Sequence, residues 1–129
     1  MKLHHVGIAC EDISATIEEL KNTFNITEIS DQIFDAEQNA TLCMVTLDDG
    51  SMLELVAGNV VKTYLKKKIK QYHVCYEVKD IDEQIKRMES AGAVVIRGKR
   101  PAKLFGGRHV AFLYTYSIGM VELLEEKIG

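Results

Sequence analysis

At 129 residues the chain is long enough for one domain, or for two very small modules fused into one, and folding would bury roughly two-thirds of its unfolded surface. Hydrophobic residues make up 47% and charged residues 27%, and a formal net charge of −3 offers no general attraction to nucleic acid or to an anionic membrane. The expected partner is therefore a small molecule or a second copy of the chain.

The first apolar stretch, residues 3–10, reads as a strand. His4 and His5 interrupt it and Glu11 and Asp12 follow at once, so it resembles neither a signal peptide nor a membrane span, and the chain is expected to stay in the cytoplasm. Asp12 is a suitable N-cap for a helix whose apolar face is spaced as Ile13, Ile17, Leu20 and Phe24. Three apolar or β-branched runs come next, at residues 26–34, 41–47 and 52–57, with Asp48-Asp49-Gly50 as the turn before the last. Residues 58–70 carry Val61, Tyr64, Leu65 and Ile69 at near-helical spacing among five lysines, which predicts a linker helix with a solvated face. The sharper reading is a basic lip for an anionic substrate.

A second series then begins. Residues 72–78 predict a strand, Asp80 an N-cap, and Ile81, Ile85, Met88 and Ala91 a helix that Gly92 ends. Strands follow at 94–96, 110–116 and 120–124, with Ser117-Ile118-Gly119 before the last. Gly106-Gly107 reads as a hairpin turn inside a basic stretch formed by Lys99, Arg100, Lys103 and Arg108. Cys10, Cys43 and Cys75 are odd in number, lie among apolar residues and form no close pair. They read as reduced core thiols rather than as a disulfide framework or a zinc ribbon.

The two series are copies of one another. Residues 3–20 lie on residues 71–88 without a gap, at the offset of 68 that separates His5 from His73, and Asp12, Ile13 and Ile17 fall on Asp80, Ile81 and Ile85. The same offset carries Met52-Leu53-Glu54-Leu55-Val56 onto Met120-Val121-Glu122-Leu123-Leu124. This is a tandem duplication of a βαβββ unit, so the expected class is α+β: module 1 at residues 1–57, a linker at 58–70 and module 2 at 71–129, within a single domain.

Taken singly, a glutamate in a half-buried strand is most simply one that points outward. Retention of His and Glu at matching positions of both copies, while most neighbours differ, argues otherwise. If the first and last strands of each copy lie side by side, His5 with Glu54 and His73 with Glu122 face the same way, and a pseudo-twofold gathers two imidazoles and two carboxylates around one point. Uncompensated carboxylates there would be costly to bury, and a divalent cation resolves the cost. Nitrogen and oxygen ligands without thiolate suit Ni²⁺, Co²⁺, Zn²⁺, Mn²⁺ or Fe²⁺. Four such ligands on an octahedral ion leave two positions for neighbouring substrate oxygens, and the ion acts as a Lewis acid for an enediolate. Either glutamate can serve as the base.

Paired βαβββ modules with His-Glu-His-Glu ligands resemble the vicinal oxygen chelate superfamily over nearly the whole chain, which implies a curved mixed sheet around the metal site. The ligand set at 5, 54, 73 and 122 resembles bacterial glyoxalase I, while "YHVCYEVKDI" at 72–81, "LELV" at 53–56 and "HVAFL" at 109–113 resemble methylmalonyl-CoA epimerase. The glutamate pair favours the first. The expected function is thus that of glyoxalase I, a lactoylglutathione lyase acting on the methylglyoxal–glutathione hemithioacetal. Glu122 would be the base, Glu54 its symmetry-related partner, and Ni, Co or Zn the one ion per site; Arg108 would meet an anionic group of the substrate. Methylmalonyl-CoA epimerase is the alternative reading, and a metal-free drug-binding resistance protein a further one that needs none of the four ligands. Four ligands also argue against an extradiol dioxygenase, which uses two His and one Glu on iron. A homodimer is expected, with the site formed within one chain or across the dimer.

Overall fold

The computed structural model describes residues 1–127, which fall into two compact units: residues 5–72, and residues 1–4 together with His73 onward. Each unit is a mixed sheet with a helix packed on one face, so the class is α+β as expected.

In the first unit, β1 (Lys2–Ala9) leads to Asp12, whose carboxylate accepts a hydrogen bond from the Ala15 N–H at 3.1 Å and caps α1 (Ile13–Thr23). The strands β2 (Ile26–Ile29), β3 (Ile33–Asp35), β4 (Ala40–Leu47) and β5 (Met52–Ala57) follow. The strand order is β2-β4-β5-β1, with β3 also on β4, and β1 runs parallel to β5 while the other pairs are antiparallel. Two expectations change here. Residues 26–34 form two strands rather than one, because at Ser30 the side-chain oxygen takes the Met44 N–H at 2.8 Å and the chain leaves the ladder before re-entering it. Phe24 does not continue the apolar face of α1; it is the C-cap, with extended backbone, and is 51% exposed.

The linker begins at Gly58, whose φ of +128° is one that side chains rarely adopt, and a Cβ there would crowd the Asn39 carbonyl oxygen at 3.2 Å. A 3-10 turn at Asn59–Val61 and the five-residue α2 (Lys62–Lys66) follow, with Val61 buried and the lysines exposed. That is the solvated face the sequence predicts.

The second unit repeats the plan. β6 (Gln71–Val78) reaches Asp80, which caps α3 (Ile81–Ser90) by accepting from the Glu83 N–H at 3.0 Å, and Gly92 follows the helix with a φ of +102°. β7 (Val94–Pro101), β8 (His109–Thr115) and β9 (Gly119–Glu125) complete a sheet in the order β6-β9-β8-β7, in which only the β6 and β9 pair is parallel. β7 is longer than residues 94–96 suggest, since two register shifts against β8 break its alternation without ending its pairing. Gly106 and Gly107 lie in the β7–β8 connection, where both have positive φ and close the turn after Lys103–Phe105.

The helix sides of both sheets are apolar. Ile13 and Leu20 of α1 pack with Cys10, Cys43, Val45 and Leu55, and Ile81 of α3 packs with Val78, Ala111, Leu113, Val121 and Leu123. The opposite face of the second sheet holds Cys75, Ala102, Val110, Phe112 and Leu124. All three cysteines are buried in these clusters and outside any disulfide, which bears out their reading as core residues. Among the described residues no helix is long and apolar enough to cross a membrane.

Burial pushes the Cys10 and Cys43 thiols above the ordinary thiol range, because a thiolate would lose its hydration there. The unfolded chain therefore ionises these groups first, so their burial opposes folding once the pH rises past the ordinary thiol value. We expect an aromatic disulfide reagent at pH 8 to label Cys10 and Cys43 in urea at least about a hundredfold faster than in native protein. Equal rates would show that these clusters are open to solvent.

Candidate metal centre

Parallel pairing of the first and last strand does the same thing in both units. In the first, Gly7 of β1 stands opposite Glu54 of β5, and His5 lies two residues before Gly7 on the same face. In the second, Cys75 of β6 stands opposite Glu122 of β9, and His73 lies two residues before Cys75. The 68-residue offset thus survives as an identical register. It makes each histidine the diagonal neighbour of the glutamate in its own unit.

The side chains complete that contact. His5 Nε2 lies 3.5 Å from Glu54 Oε1, and His73 Nε2 lies 3.0 Å from Glu122 Oε1. All four residues are at most 3% exposed, and a carboxylate that deep needs a charged or strongly donating partner. The His73 ring also meets Phe112 edge to face, with centroids 5.4 Å apart at 89°, which fixes the plane of the imidazole. Phe112 stands opposite Glu122 on β8. The residue opposite Glu54 is Met44 on β4, so the two units share the His–Glu pair but not its surroundings. Sequence reasoning missed Phe112, whose signal was its place in the strand next to that of Glu122.

These pairs fit a divalent cation. Two donors held at right angles to one ion, each about 2.1 Å from it, stand about 3 Å apart, and the observed separations of 3.0 and 3.5 Å are close to that spacing. The donors are imidazole nitrogen and carboxylate oxygen, a set suited to a borderline or hard divalent metal. Each unit therefore supplies one His and one Glu as candidate ligands.

Arg108 stands just before β8 in the second unit. Its Nη2 is ion-paired with Glu77 Oε2 near the end of β6, and its Nε donates to the Glu125 carbonyl oxygen at 2.8 Å. His109 adds a contact with the Glu125 carboxylate, its Nδ1 lying 3.3 Å from both oxygens. The guanidinium ties the ends of β6 and β9 to the start of β8. At the positions equivalent to Glu77 and Arg108 the first half has Ala9 and Ala40, both buried, so this clamp belongs to one copy only.

A family model described as the glyoxalase/bleomycin resistance protein/dioxygenase superfamily matches residues 4–112. The ethylmalonyl-CoA/methylmalonyl-CoA epimerase of Cereibacter sphaeroides is 29% identical over 119 residues, covering 88% of this chain and 87% of that protein. The mitochondrial methylmalonyl-CoA epimerase of Dictyostelium discoideum is also 29% identical, over 98% of this chain and 78% of that protein. Among solved structures, methylmalonyl-CoA epimerase from Mycobacterium tuberculosis superposes with a TM-score of 0.82 at 19% identity, covering 98% of this chain and 89% of that one. Glyoxalase I from Zea mays gives 0.67 at 22% identity, over 96% of this chain and 42% of that one. At those identities the superpositions speak for the fold alone.

The expectation of glyoxalase I, and with it of a lactoylglutathione lyase, is corrected by these findings. Both sequence relatives are named as epimerases, and glyoxalase I enters here only as a likeness of fold. The physical reason is that the candidate ligands would serve either chemistry, because both reactions move a proton on a carbon beside a chelated oxygen. They do not select the substrate.

The Arg108–Glu77 clamp generates a prediction. Arg108→Ala leaves a largely buried carboxylate without its cation and should lower stability by about 1–3 kcal/mol, with Arg108→Ala combined with Glu77→Ala recovering part of the loss. Urea denaturation checks it. An unchanged midpoint for Arg108→Ala would show that the clamp holds nothing.

Proposed function

The chain belongs to the glyoxalase/bleomycin resistance protein/dioxygenase superfamily, and from that membership we propose that it is a metal-dependent acyl-CoA epimerase acting on a methylmalonyl-type thioester. The observation that carries the reading is the buried His–Glu pair repeated in one register in both halves, in a chain with relatives named as epimerases.

In this reading His5, Glu54, His73 and Glu122 hold one divalent cation, each His–Glu pair giving two ligands. When bound, the ion supplies Lewis-acid stabilisation of the negative charge that develops on the thioester oxygen as the α-proton leaves. The remaining work belongs to the side chains. A carbon flanked by a thioester and a carboxylate is acidic enough for a carboxylate to deprotonate it once the resulting enolate is stabilised. Glu122 takes the proton from one side of that carbon and Glu54 delivers a proton it already carries to the other, which inverts the centre and leaves the two glutamates with their protonation exchanged. Both are buried, so few water protons compete with the transfer. The two imidazoles would hold the ion through Nε2, the atom that each turns toward its glutamate.

Metal-stripped protein reloaded with Ni²⁺, Co²⁺ or Zn²⁺ and given single epimers of methylmalonyl-CoA in D₂O tests this. We expect metal-dependent loss of optical purity with deuterium entering the α-position. Glu122→Gln and Glu54→Gln should each slow epimerisation by about 10²–10⁴-fold, and His73→Ala should lose the metal as well. Full turnover by metal-loaded Glu122→Gln would remove the assigned base, and failure of the wild type to exchange the proton with any of the three ions would remove the function.

A further inference from the structure

The second unit carries a pair of arginines that the reaction just described does not use. Strand β7 begins in ordinary alternation: Val94 pairs with Tyr114, and Val95 with Leu113 on the side packed against α3. The ladder then shifts register, so that Arg97 pairs with Phe112, and shifts again, so that Arg100 pairs with Val110. Each shift adds one residue to β7, and each reverses the faces of the residues beyond it.

The consequence follows strand by strand. Phe112 stands opposite Glu122, and Val110 opposite Leu124 two residues on, so Arg97 and Arg100 share the sheet face of His73 and Glu122. Unbroken alternation would have turned Arg97 toward α3, with Val95. Lys99 lies on the α3 side, where its Nζ meets Asp82 of that helix at 3.1 Å. Two irregularities thus place two guanidiniums on the face of the ligands and leave the intervening lysine on the other. Bulges that re-aim side chains in this way recur beside active sites.

We propose that Arg97 and Arg100 bind the diphosphate of the coenzyme A carrier and not the reacting acyl group. The inference rests on the acyl-CoA reading given above. Arg97 is two strands from Glu122, about 10 Å to the side, whereas a group exchanging a proton with that carboxylate must come within about 3–3.5 Å. The two arginines are one pleat apart on one face, about 7 Å, a spacing suited to neighbouring phosphates. Arginine is also the residue whose planar fork pairs with phosphate oxygens two at a time. Both side chains are half-buried, which strengthens such contacts relative to fully solvated ones.

Calorimetric titration with free coenzyme A tests the assignment without the reaction, and titration with pantetheine, which has no phosphate, is the matched control. The wild type should bind coenzyme A. Arg97→Ala and Arg100→Ala should each weaken that binding by about 10–100-fold, Arg97→Lys by less, and Lys99→Ala scarcely at all, while pantetheine binding stays unchanged in every variant. In turnover the arginine variants should raise KM for the CoA thioester and leave kcat in place. The assignment is overturned if the wild type does not bind coenzyme A, if Lys99→Ala weakens binding as much as the arginine variants, or if the loss extends to pantetheine. Arginine-dependent binding of coenzyme A by a wild type that exchanges no methylmalonyl-CoA proton would uphold the arginine site and refute the epimerase reading.

Discussion

The register between two parallel strands is the constraint on which the rest depends. In each unit the first strand meets the last so that a histidine becomes the diagonal neighbour of a glutamate, and both side chains are buried. A slip of one residue in either ladder would turn one partner to the helix side of the sheet, where the neighbours are Leu55 and Val45 in one unit and Leu123 and Leu113 in the other. Those apolar faces hold the register in place, since moving Leu55 or Leu123 out of its cluster costs on the order of 2 kcal/mol per side chain. The hydrophobic effect on one face thereby fixes the polar pair on the other.

Burial gives those pairs their chemical character. A glutamate at 1 or 2% exposure beside a histidine has exchanged water for directed partners within the protein. Two such pairs on one divalent ion would make a site in which ligand and base are the same residue type, one for each side of a substrate carbon. The walls differ, with Phe112 against His73 in one half and Met44 opposite Glu54 in the other. An active site that treats two faces of one carbon alike in chemistry, yet must hold a substrate without symmetry, needs equal ligands and unequal walls.

Much of this was legible in the residues because the duplication repeats its signals. The offset of 68 carries the strands, the aspartate caps and the His and Glu positions together, and a signal repeated in both copies is harder to mistake than one seen once. What escaped the reading lacks a period. Ser30 withdraws the chain from the sheet through one side-chain contact, and the register shifts in β7 have no hydrophobic alternation to announce them. The ion pair of Arg108 with Glu77, distant in sequence, likewise has no periodic signal. The preference for glyoxalase I failed for a different reason: the candidate ligands would suit a proton transfer that two substrates share.

Whether the two His–Glu pairs serve one ion is tested most directly by X-ray absorption on cobalt-loaded protein together with its metal stoichiometry. We expect one ion per chain in a shell of nitrogen and oxygen only, with two imidazoles, and loss of that ion on substitution of either His5 or His73. Two ions per chain, a sulfur scatterer, or retention of the full imidazole count after His5→Ala would contradict it.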